Sequence, residues 1–314
     1  MRNFGIEIEL AGIRQDKSLA ALQKAGLKAK VEFYNHNDHT DGTWKIVTDA
    51  SVAHGHEVVS PILHGEEGLK EAMRAANALE AAGAVINKTC GLHVHFNALD
   101  LTTDAIRMVC KRYMKFEGEI DAFMPLSRRD DNNTFCRSTK HCFTNNFRFE
   151  NATTRDALAR SVSGRYYKVN LSAYLAHHTI EFRQHSGTVD SQKIASWVRF
   201  LDDFITESVK QSETNASQIR LQPAQQTLLG LIASEAGMDA DRLQERLGLQ
   251  AHSLRGAISI LRKKGISIIS HRECGVTWYK AIMNNVADEA DSLFKGIDSM
   301  VTAFYKMRAI ALAA

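Results

Sequence analysis

Three short segments of the sequence alternate apolar and polar residues with the two-residue period of a β-strand: residues 4–10 (FGIEIEL), 91–96 (GLHVHF) and 179–184 (TIEFRQ). Successive side chains of a strand point to opposite faces, so each segment has one apolar and one polar face. The polar faces carry the pairs Glu7 and Glu9, His93 and His95, and Glu181 and Arg183. If the strands share a sheet, the pattern predicts a core on one side and a cluster of polar, metal-capable side chains on the other.

Further periodic segments follow along the first two hundred residues. Strands are predicted at 3–10, 29–34, 56–60, 92–97, 166–171 and 178–184, and helices at 65–82, 102–124 and 190–211. This order predicts the α+β class. Residues 125–153 fit neither period, which predicts a long ordered loop. Nine Lys or Arg against four Asp or Glu give residues 125–168 a net charge of +5, which favours an anionic ligand.

The last hundred residues predict a second, smaller domain. The pattern divides the chain into a domain at 1–211, a polar linker at 212–223 that ends in Pro223, a domain at 224–282 and a C-terminal helix at 283–314. Three helices and two strands in that order are typical of a winged helix-turn-helix. Its third helix would expose cations and a serine, and its wing would carry two more basic residues: Arg255, Ser259, Arg262 and Lys263, then His271 and Arg272.

The charge of this second domain leaves its partner open. Residues 224–281 contain eight Lys or Arg and five Asp or Glu, a modest excess for a DNA-binding domain, so nucleic acid, protein and docked substrate are all kept as partners. The C-terminal helix is amphipathic and rich in alanine. It is expected to pack on the body of the chain or on a second copy, which makes a homo-oligomer an open expectation.

Composition narrows the setting. The 314 residues are 44% hydrophobic and 24% charged, as in ordinary globular proteins. No apolar run approaches 18 residues and no apolar signal segment opens the chain, so neither secretion nor a membrane partner is expected. The cysteines are odd in number and lack CxxC spacing: Cys90, Cys110, Cys136, Cys142 and Cys274. A reduced, cytoplasmic location is therefore expected.

Taken alone, each polar pair has its own functional interpretation. Glu7 and Glu9 could bridge Mg²⁺ or Mn²⁺, but alternating Glu on an exposed strand is an equal alternative. Glu57 opens another apolar strand and could add a carboxylate to the same face. His93 and His95 suit a divalent metal, and Gly91 before them permits close backbone approach.

The third pair adds positive charge. Glu181 and Arg183 combine a metal-type oxygen with a fork for phosphate or carboxylate, although a surface ion pair is the simple alternative. Arg165, in GRYYKVN, could supply a second cation for a transferring phosphoryl group, or it could be a solvated arginine before a buried tyrosine.

Five ordered motifs resemble the amidoligase family, whose relatives include glutamine synthetase and glutamate–cysteine ligase. They are FGIEIEL, WKIVTDASV with HEVVSPIL, GLHVHFN, GRYYKVNL and TIEFRQHSGT, spread over roughly residues 1–205. The resemblance implies a curved antiparallel sheet of glutamine-synthetase type with flanking helices. It also implies ATP-dependent joining of a carboxylate to an amine with Mg²⁺ or Mn²⁺. The implied metal-binding positions are Glu7, Glu9, Glu57, His93 and Glu181, and those near ATP phosphate and acyl phosphate are His95, Arg165 and Arg183.

One departure from the family pattern is Ala50, where glycine is more common between Asp49 and Ser51. This departure bears on the conformation of the turn and leaves the expected reaction unchanged. The winged helix lies outside the resemblance.

The expected reaction activates a small-molecule or peptide carboxylate as an acyl phosphate, because oxide is too poor a leaving group for direct attack by an amine. Catalysis would be mainly electrostatic, with Arg183 and His95 assisting transfer and Arg165 adding a second cation. Asp49 would take the proton of the amine. Two alternatives stay open. One is a metal-dependent hydrolase, which would not need phosphate-binding arginines. The other is a DNA-binding regulator whose N-terminal domain senses a metabolite.

Overall fold

The computed structural model describes residues 1–32, 41–218, 222–233, 237–264, 266, 268–273 and 275–281. The chain forms two compact units, Met1–Ser212 and a second one that begins at Glu213. Several predictions concern residues outside the described part: the end of the strand at 29–34, residues 219–221 of the linker, Cys274 and the helix at 283–314.

The first unit is built on a seven-stranded sheet. Its strands are β1 (Phe4–Ala11), β2 (Ala29–Val31), β3 (Trp44–Val47), β4 (Gly55–Val59), β5 (Leu92–Asn97), β6 (Val169–Asn170) and β7 (Thr179–Phe182). Their spatial order is β2-β3-β4-β1-β5-β7-β6. Neighbouring strands are antiparallel, except that β2 and β3 are parallel. The sheet is therefore mixed and not the antiparallel one that the family resemblance implied, because the edge strand β2 runs parallel to β3.

Helices account for most of the rest of the first unit. They are α1 (Gln15–Lys24), α2 (Gly65–Ala81), α3 (Thr103–Lys115), α4 (Glu117–Phe123), α5 (Lys140–Phe143), α6 (Phe147–Asn151), α7 (Arg155–Arg160), α8 (Ala173–His177) and α9 (Ser191–Gln218), which belongs to this unit up to Ser212. A 3-10 turn spans Leu126–Arg128. None of the helices in the described part of the chain has the length and the apolar character needed to cross a membrane.

One face of the sheet is the core. Phe4, Ile6 and Ile8 of β1 are at most 2% exposed, as the alternating pattern predicts. Tyr113 of α3 packs between the β7 side chain Phe182 at 5.4 Å and a phenylalanine of α9 at 5.8 Å, measured between ring centroids. Trp44 of β3 donates a hydrogen bond from Nε1 to a glutamate of α2. Since helices α2, α3 and α9 cover the apolar face, the polar residues of the same strands lie on the opposite face.

The structure corrects several boundaries. Helix α1 and strand β3 have no counterpart among the predicted elements. The helix expected at 102–124 is interrupted at Phe116, which ends α3 and begins α4. The segment 125–153 contains α5 and α6 and not only loop, because helices of four and five residues are too short to show a period. Helix α9 continues to Gln218, so the segment expected to be a linker is helical up to that residue.

The described part of the second unit contains α10 (Pro223–Ile232), β8 (Met238–Asp239), α11 (Ala240–Leu247), α12 (Ala251–Lys263), β9 (Ile268–Glu273) and β10 (Val276–Ala281). Strand β10 lies between β8 and β9, and both pairings are antiparallel. One buried cluster joins the helices to the sheet: Leu228, Ile232, Leu243, Leu254, Ile258, Leu261, Ile268, Tyr279 and Ala281. The unit therefore has a core of its own.

Candidate metal centre

Strand register brings the predicted polar pairs together. Strands β4, β1, β5 and β7 are neighbours in the sheet. The paired positions are Glu7 with His93, Glu9 with Glu57, and His95 with Glu181. Side chains at directly paired positions have Cβ atoms about 4.5–5.5 Å apart. Four carboxylates and two imidazoles from four strands therefore converge on the polar face.

The first group of possible metal ligands is fully buried. Glu9, Glu57 and His93 are 3–5% exposed, and each offers one donor atom within 4.8 Å of the others. The Nε2 atom of His93 lies 3.6 Å from Oε1 of Glu9. The other oxygen of Glu9 accepts a hydrogen bond from the backbone N–H of Gly91, which fixes the carboxylate. A Cβ at Gly91 would lie 2.9 Å from His93 Nε2, so only glycine leaves room for this imidazole.

The second group shares His93 with the first. Glu7, His93 and Glu181 also offer donor atoms within 4.8 Å of one another. The Nδ1 atom of His93 lies 2.9 Å from Glu7 Oε2 and 3.7 Å from Glu181 Oε1. His95 approaches the same two carboxylates through Nε2, at 3.2 and 3.8 Å, while its Nδ1 lies 3.0 Å from the hydroxyl of Thr179.

The contacts of His93 indicate its tautomer. A neutral imidazole has one N–H and one lone pair, so it can ligate metal through only one nitrogen. The short contact from Nδ1 to Glu7 is the arrangement in which Nδ1–H donates to a carboxylate and orients the ring. The lone pair then lies on Nε2, which faces Glu9. We therefore assign His93 as a ligand of the group that contains Glu9 and Glu57.

The charges of the cluster shift the pKa values in opposite directions. Burial, followed by the charges of Glu7, Glu9 and Asp49, holds the pKa of Glu57 well above its usual range. Burial would also raise the pKa of Glu7. The charge of His95 and hydrogen bonds from the two histidines outweigh it and hold that pKa well below the usual range. Positive charge is thus concentrated at Glu7, and Glu57 lies among like charges.

This donor set fits a hard divalent cation. Carboxylate oxygens with a single imidazole are ligands that suit Mg²⁺ and Mn²⁺, whereas soft metals favour sulfur. No cysteine is among the residues of the two groups. Burial and then repulsion from neighbouring carboxylates raise the pKa of Glu57, and a bound dication would relieve that repulsion.

Arg183 adds a fixed guanidinium beside the second group. It is 9% exposed. Its Nη1 donates to Glu181 and lies 3.5 Å from Nδ1 of His93, and its Nε donates to the backbone oxygen of Phe135 at 3.4 Å. Burial would lower its pKa, but the charges of Glu181 and Glu7 raise it above the usual value. No residue in the described part of the chain accepts a hydrogen bond from Nη2, so this amino group can bind an anionic oxygen of a substrate.

The predicted residue Asp49 lies at the edge of the candidate metal centre. Asp49 is half-buried, and its Oδ1 accepts hydrogen bonds from the N–H and the hydroxyl of Ser51. Its charge contributes to the raised pKa of Glu57, which places it beside the cluster. Ala50 is not among the described residues with positive φ, so alanine fits the turn where glycine was expected.

Arg165 lies outside the buried group. It is exposed, and its guanidinium lies 5.3 Å from the ring centroid of Tyr166. That ring packs edge-on against Phe135, the residue whose carbonyl oxygen binds Arg183. Arg165 is therefore linked to Arg183 through Tyr166 and Phe135.

Two residues beside the cluster were not predicted from the sequence. Asn170 of β6 is paired with Glu181, and its Nδ2 donates to Glu181 Oε2 at 2.5 Å. Arg128 is 3% exposed and donates from Nη2 to the backbone oxygen of Cys90, next to Gly91. Asn170 lay within a recognised motif, but only the register of β6 could reveal its partner. Arg128 follows no period, and nothing in its local sequence marks it.

A buried network of ion pairs and hydrogen bonds lies next to Arg183. Lys168, fully buried, donates to Glu117 at 3.2 Å and to Asp121 at 2.7 Å. Its backbone oxygen accepts from the N–H of Arg183 at 2.8 Å. Glu117 also accepts from the backbone N–H of Thr139, so the network fastens the segment after α4 to strands β6 and β7.

Comparison with protein families identifies the chain's relatives. The family model described as "putative amidoligase enzyme" matches residues 1–205, which include every strand of the sheet and every residue of the candidate metal centre. No curated protein matches the chain. Because the model covers well over half of the 314 residues, the chain belongs to the amidoligase family.

Proposed function

We propose that the protein is an ATP-dependent ligase that joins a carboxylate to an amine through an acyl phosphate. The observation that supports this most is the arrangement of buried carboxylates around His93 with the guanidinium of Arg183 beside them. A metal site for phosphate oxygens and a cation for the same oxygens are what phosphoryl transfer requires. Membership in the amidoligase family supports an amide as the product.

The proposed metal ligands are Glu9, Glu57 and His93 in one group, and Glu7 and Glu181 in the other. Bound Mg²⁺ or Mn²⁺ supplies positive charge against the phosphate oxygens as negative charge moves to the leaving oxygen. Gly91 and Asn170 hold one carboxylate oxygen each, on Glu9 and on Glu181. Arg183 donates to the other oxygen of Glu181, so both carboxylates keep a fixed direction.

Arg183 is proposed to orient the transferring phosphoryl group. Its Nε and Nη1 are held by Phe135 and Glu181, so the guanidinium plane is fixed before the substrate binds. This preorganisation lets Nη2 stabilise developing charge without rearrangement. Burial alone would lower the pKa of His95, but the charges of Glu181 and Glu7 raise it, so His95 can add a second positive charge at the same oxygens.

Two residues are proposed at the rim. Asp49 lies beside Glu57 and can take a proton from the attacking amine, which must react as the free base. Arg165 is exposed, so we assign it to the entrance, where it would meet an anionic part of the substrate. These two roles rest on position alone.

We propose that residues 1–211 form the catalytic domain and that residues 224–282 form a winged helix. The extent of the family match and the end of the first compact unit support the first boundary. The order helix, strand, helix, helix and hairpin supports the second assignment. A regulator that senses a metabolite through the first unit would share this organisation. A measurement of catalytic turnover distinguishes the ligase from such a regulator.

The test is phosphate release from ATP and Mg²⁺ with pools of amino acids, peptides and polyamines, followed by mass spectrometry. We expect phosphate release that requires both the carboxylate and the amine substrate. The joined product should be lighter by one water than the sum of the two substrates. Glu9→Gln should abolish it, because glutamine still accepts from Gly91 but loses the negative charge. Glu80→Gln, at an exposed position of α2, is the matched control.

Two outcomes would contradict the proposal. A folded, metal-binding protein that releases no phosphate with any pool would favour the sensor. Metal-dependent cleavage of an amide without ATP, unchanged in Arg183→Ala, would favour a hydrolase.

A further inference from the structure

Charge in the second unit is segregated along the sequence. Residues 246–272, which include α12 and most of β9, contain six Lys or Arg and no Asp or Glu. The five acidic residues of 224–281 all lie before or after this stretch: Glu235, Asp239, Asp241, Glu245 and Glu273. The modest net charge of the unit therefore hides one strongly basic segment.

Helix α12 presents this basic segment on one side. Its apolar residues Leu254, Ile258 and Leu261 are at most 2% exposed, so the side of the helix that carries them packs in the core of the unit. The opposite side is exposed and carries two cations, with two small residues and one isoleucine between them: Arg255, Gly256, Ser259, Ile260 and Lys263.

The geometry of that side suits a nucleic-acid groove. Arg255 and Lys263 are eight residues apart, or about 12 Å along a helix axis at 1.5 Å per residue. The major groove of B-form DNA is about 12 Å wide and admits an α-helix, and two cations at this axial spacing can reach different phosphates along the groove. A Cβ at Gly256 would meet nothing within 4 Å, so the middle of the helix leaves open space for base edges.

The hairpin of β9 and β10 is fastened beside α12. Arg262 of α12 donates two hydrogen bonds to the backbone oxygen of Ile268, at 2.9 and 3.2 Å, and a third to the hydroxyl of Ser270. Helix and hairpin therefore form one surface. The hairpin exposes His271, whose ring stacks on Trp278, and Arg272, whose Nε donates to a backbone oxygen of the turn.

We propose that this basic face binds double-stranded DNA, with α12 in the major groove and the hairpin on the flanking phosphates. The cations of α12 lie in a stretch of sequence without acidic residues, and their charge complements the phosphate backbone, which dominates nucleic-acid affinity. B-form DNA is favoured over double-stranded RNA because the major groove of an A-form helix is too narrow for side chains. This surface is independent of the metal centre, so the proposal goes beyond the ligase activity.

The test uses the full-length protein and a fluorescein-labelled duplex of 30 base pairs with mixed sequence. Fluorescence anisotropy at 50–300 mM KCl should give a Kd that rises steeply with salt. The double variant Arg255→Ala/Lys263→Ala removes two phosphate contacts, so the slope of log Kd against log salt should fall by about 1.8. Affinity at 100 mM KCl should fall at least tenfold. Lys88→Ala, in an exposed turn of the first unit, should change neither quantity.

Folding of the variants is checked by circular dichroism, and alanine has the highest helix propensity, so α12 should persist. Arg272→Ala in the hairpin is a second variant, expected to reduce the slope by about 0.9. The proposal is overturned if no binding occurs at 50 mM KCl, if the double variant keeps the wild-type slope, or if duplex RNA binds equally well. It is also overturned if sedimentation shows that the exposed Ile260 and Ile269 instead join two copies of the chain.

Discussion

Glu57→Gln should uncouple the stability of the first unit from divalent metal. Glu57 is a buried carboxylate whose pKa is raised by its burial and by the charges of Glu7, Glu9 and Asp49. Glutamine has nearly the same shape but no charge. A group whose pKa is higher in the folded state favours folding at low pH and loses that contribution as pH rises through the folded pKa. Without metal, the variant should therefore match or exceed the stability of the wild type at pH 8.

The magnitude follows from binding linkage. A ligand at 100 times its Kd stabilises the folded state by about 2.7 kcal/mol. If loss of one of the anionic ligands weakens metal binding a hundredfold, the same concentration contributes only about 0.4 kcal/mol. For a unit of this size 1 kcal/mol shifts Tm by about 2–4 °C, so Mg²⁺ or Mn²⁺ should raise the wild-type Tm by roughly 5–10 °C. The variant should shift by roughly 1–2 °C.

The assay is thermal unfolding of the wild type, Glu57→Gln and the exposed control Glu80→Gln, each in EDTA and in a series of metal concentrations. The control should respond to metal as the wild type does. A full metal-dependent shift in Glu57→Gln would refute the assignment of Glu57 as a ligand. Destabilisation of the metal-free variant by more than about 2 kcal/mol would refute the charge repulsion, because it would mean that the carboxylate is a favourable part of the folded state.

Three further predictions concern other contacts. Asn170→Ala leaves Glu181 Oε2 without its donor, so metal affinity should fall about 10–100-fold in calorimetric titration, while Asn151→Ala on α6 should not change it. Arg183→Lys keeps the charge but loses the fork, so kcat should fall about 100-fold or more in the phosphate-release assay, and an unchanged kcat would exclude its role at the phosphoryl group. Burial lowers the pKa of His185 to about 4, below its unfolded value of about 6.5, so folding should be about 2 kcal/mol weaker at pH 5 than at pH 7. In denaturant titrations of His185→Gln, this difference in stability between pH 5 and pH 7 should be absent.

The strand pattern predicted the faces of the central strands well. Residues two apart in one strand share a face whatever the partner strand is, so Glu7 could be placed with Glu9, and His93 with His95, from the sequence alone. Their pairing could not be predicted, because register depends on which strands are neighbours. This is why Asn170, opposite Glu181 in β6, was missed although its motif was recognised.

Short and buried polar elements were harder to predict. Helices α5 and α6 have fewer than two turns, so no apolar period can appear in them. Lys168 and Arg128 are charged yet buried, and a hydrophobic pattern places such residues at the surface. Both are held by contacts between segments far apart in the sequence, the first by Glu117 and the second by the backbone of Cys90.

The most direct test of the proposed reaction is the transfer of oxygen from the carboxylate substrate to phosphate. Amino acids and peptides with ¹⁸O in their carboxyl groups are incubated with the protein, ATP, Mg²⁺ and the amine pool, and the released phosphate is analysed by mass spectrometry. Attack of the amine on an acyl phosphate breaks the bond between carbonyl carbon and oxygen, so each phosphate released should carry one ¹⁸O. Amide formation with unlabelled phosphate, or with the label in AMP, would contradict the account.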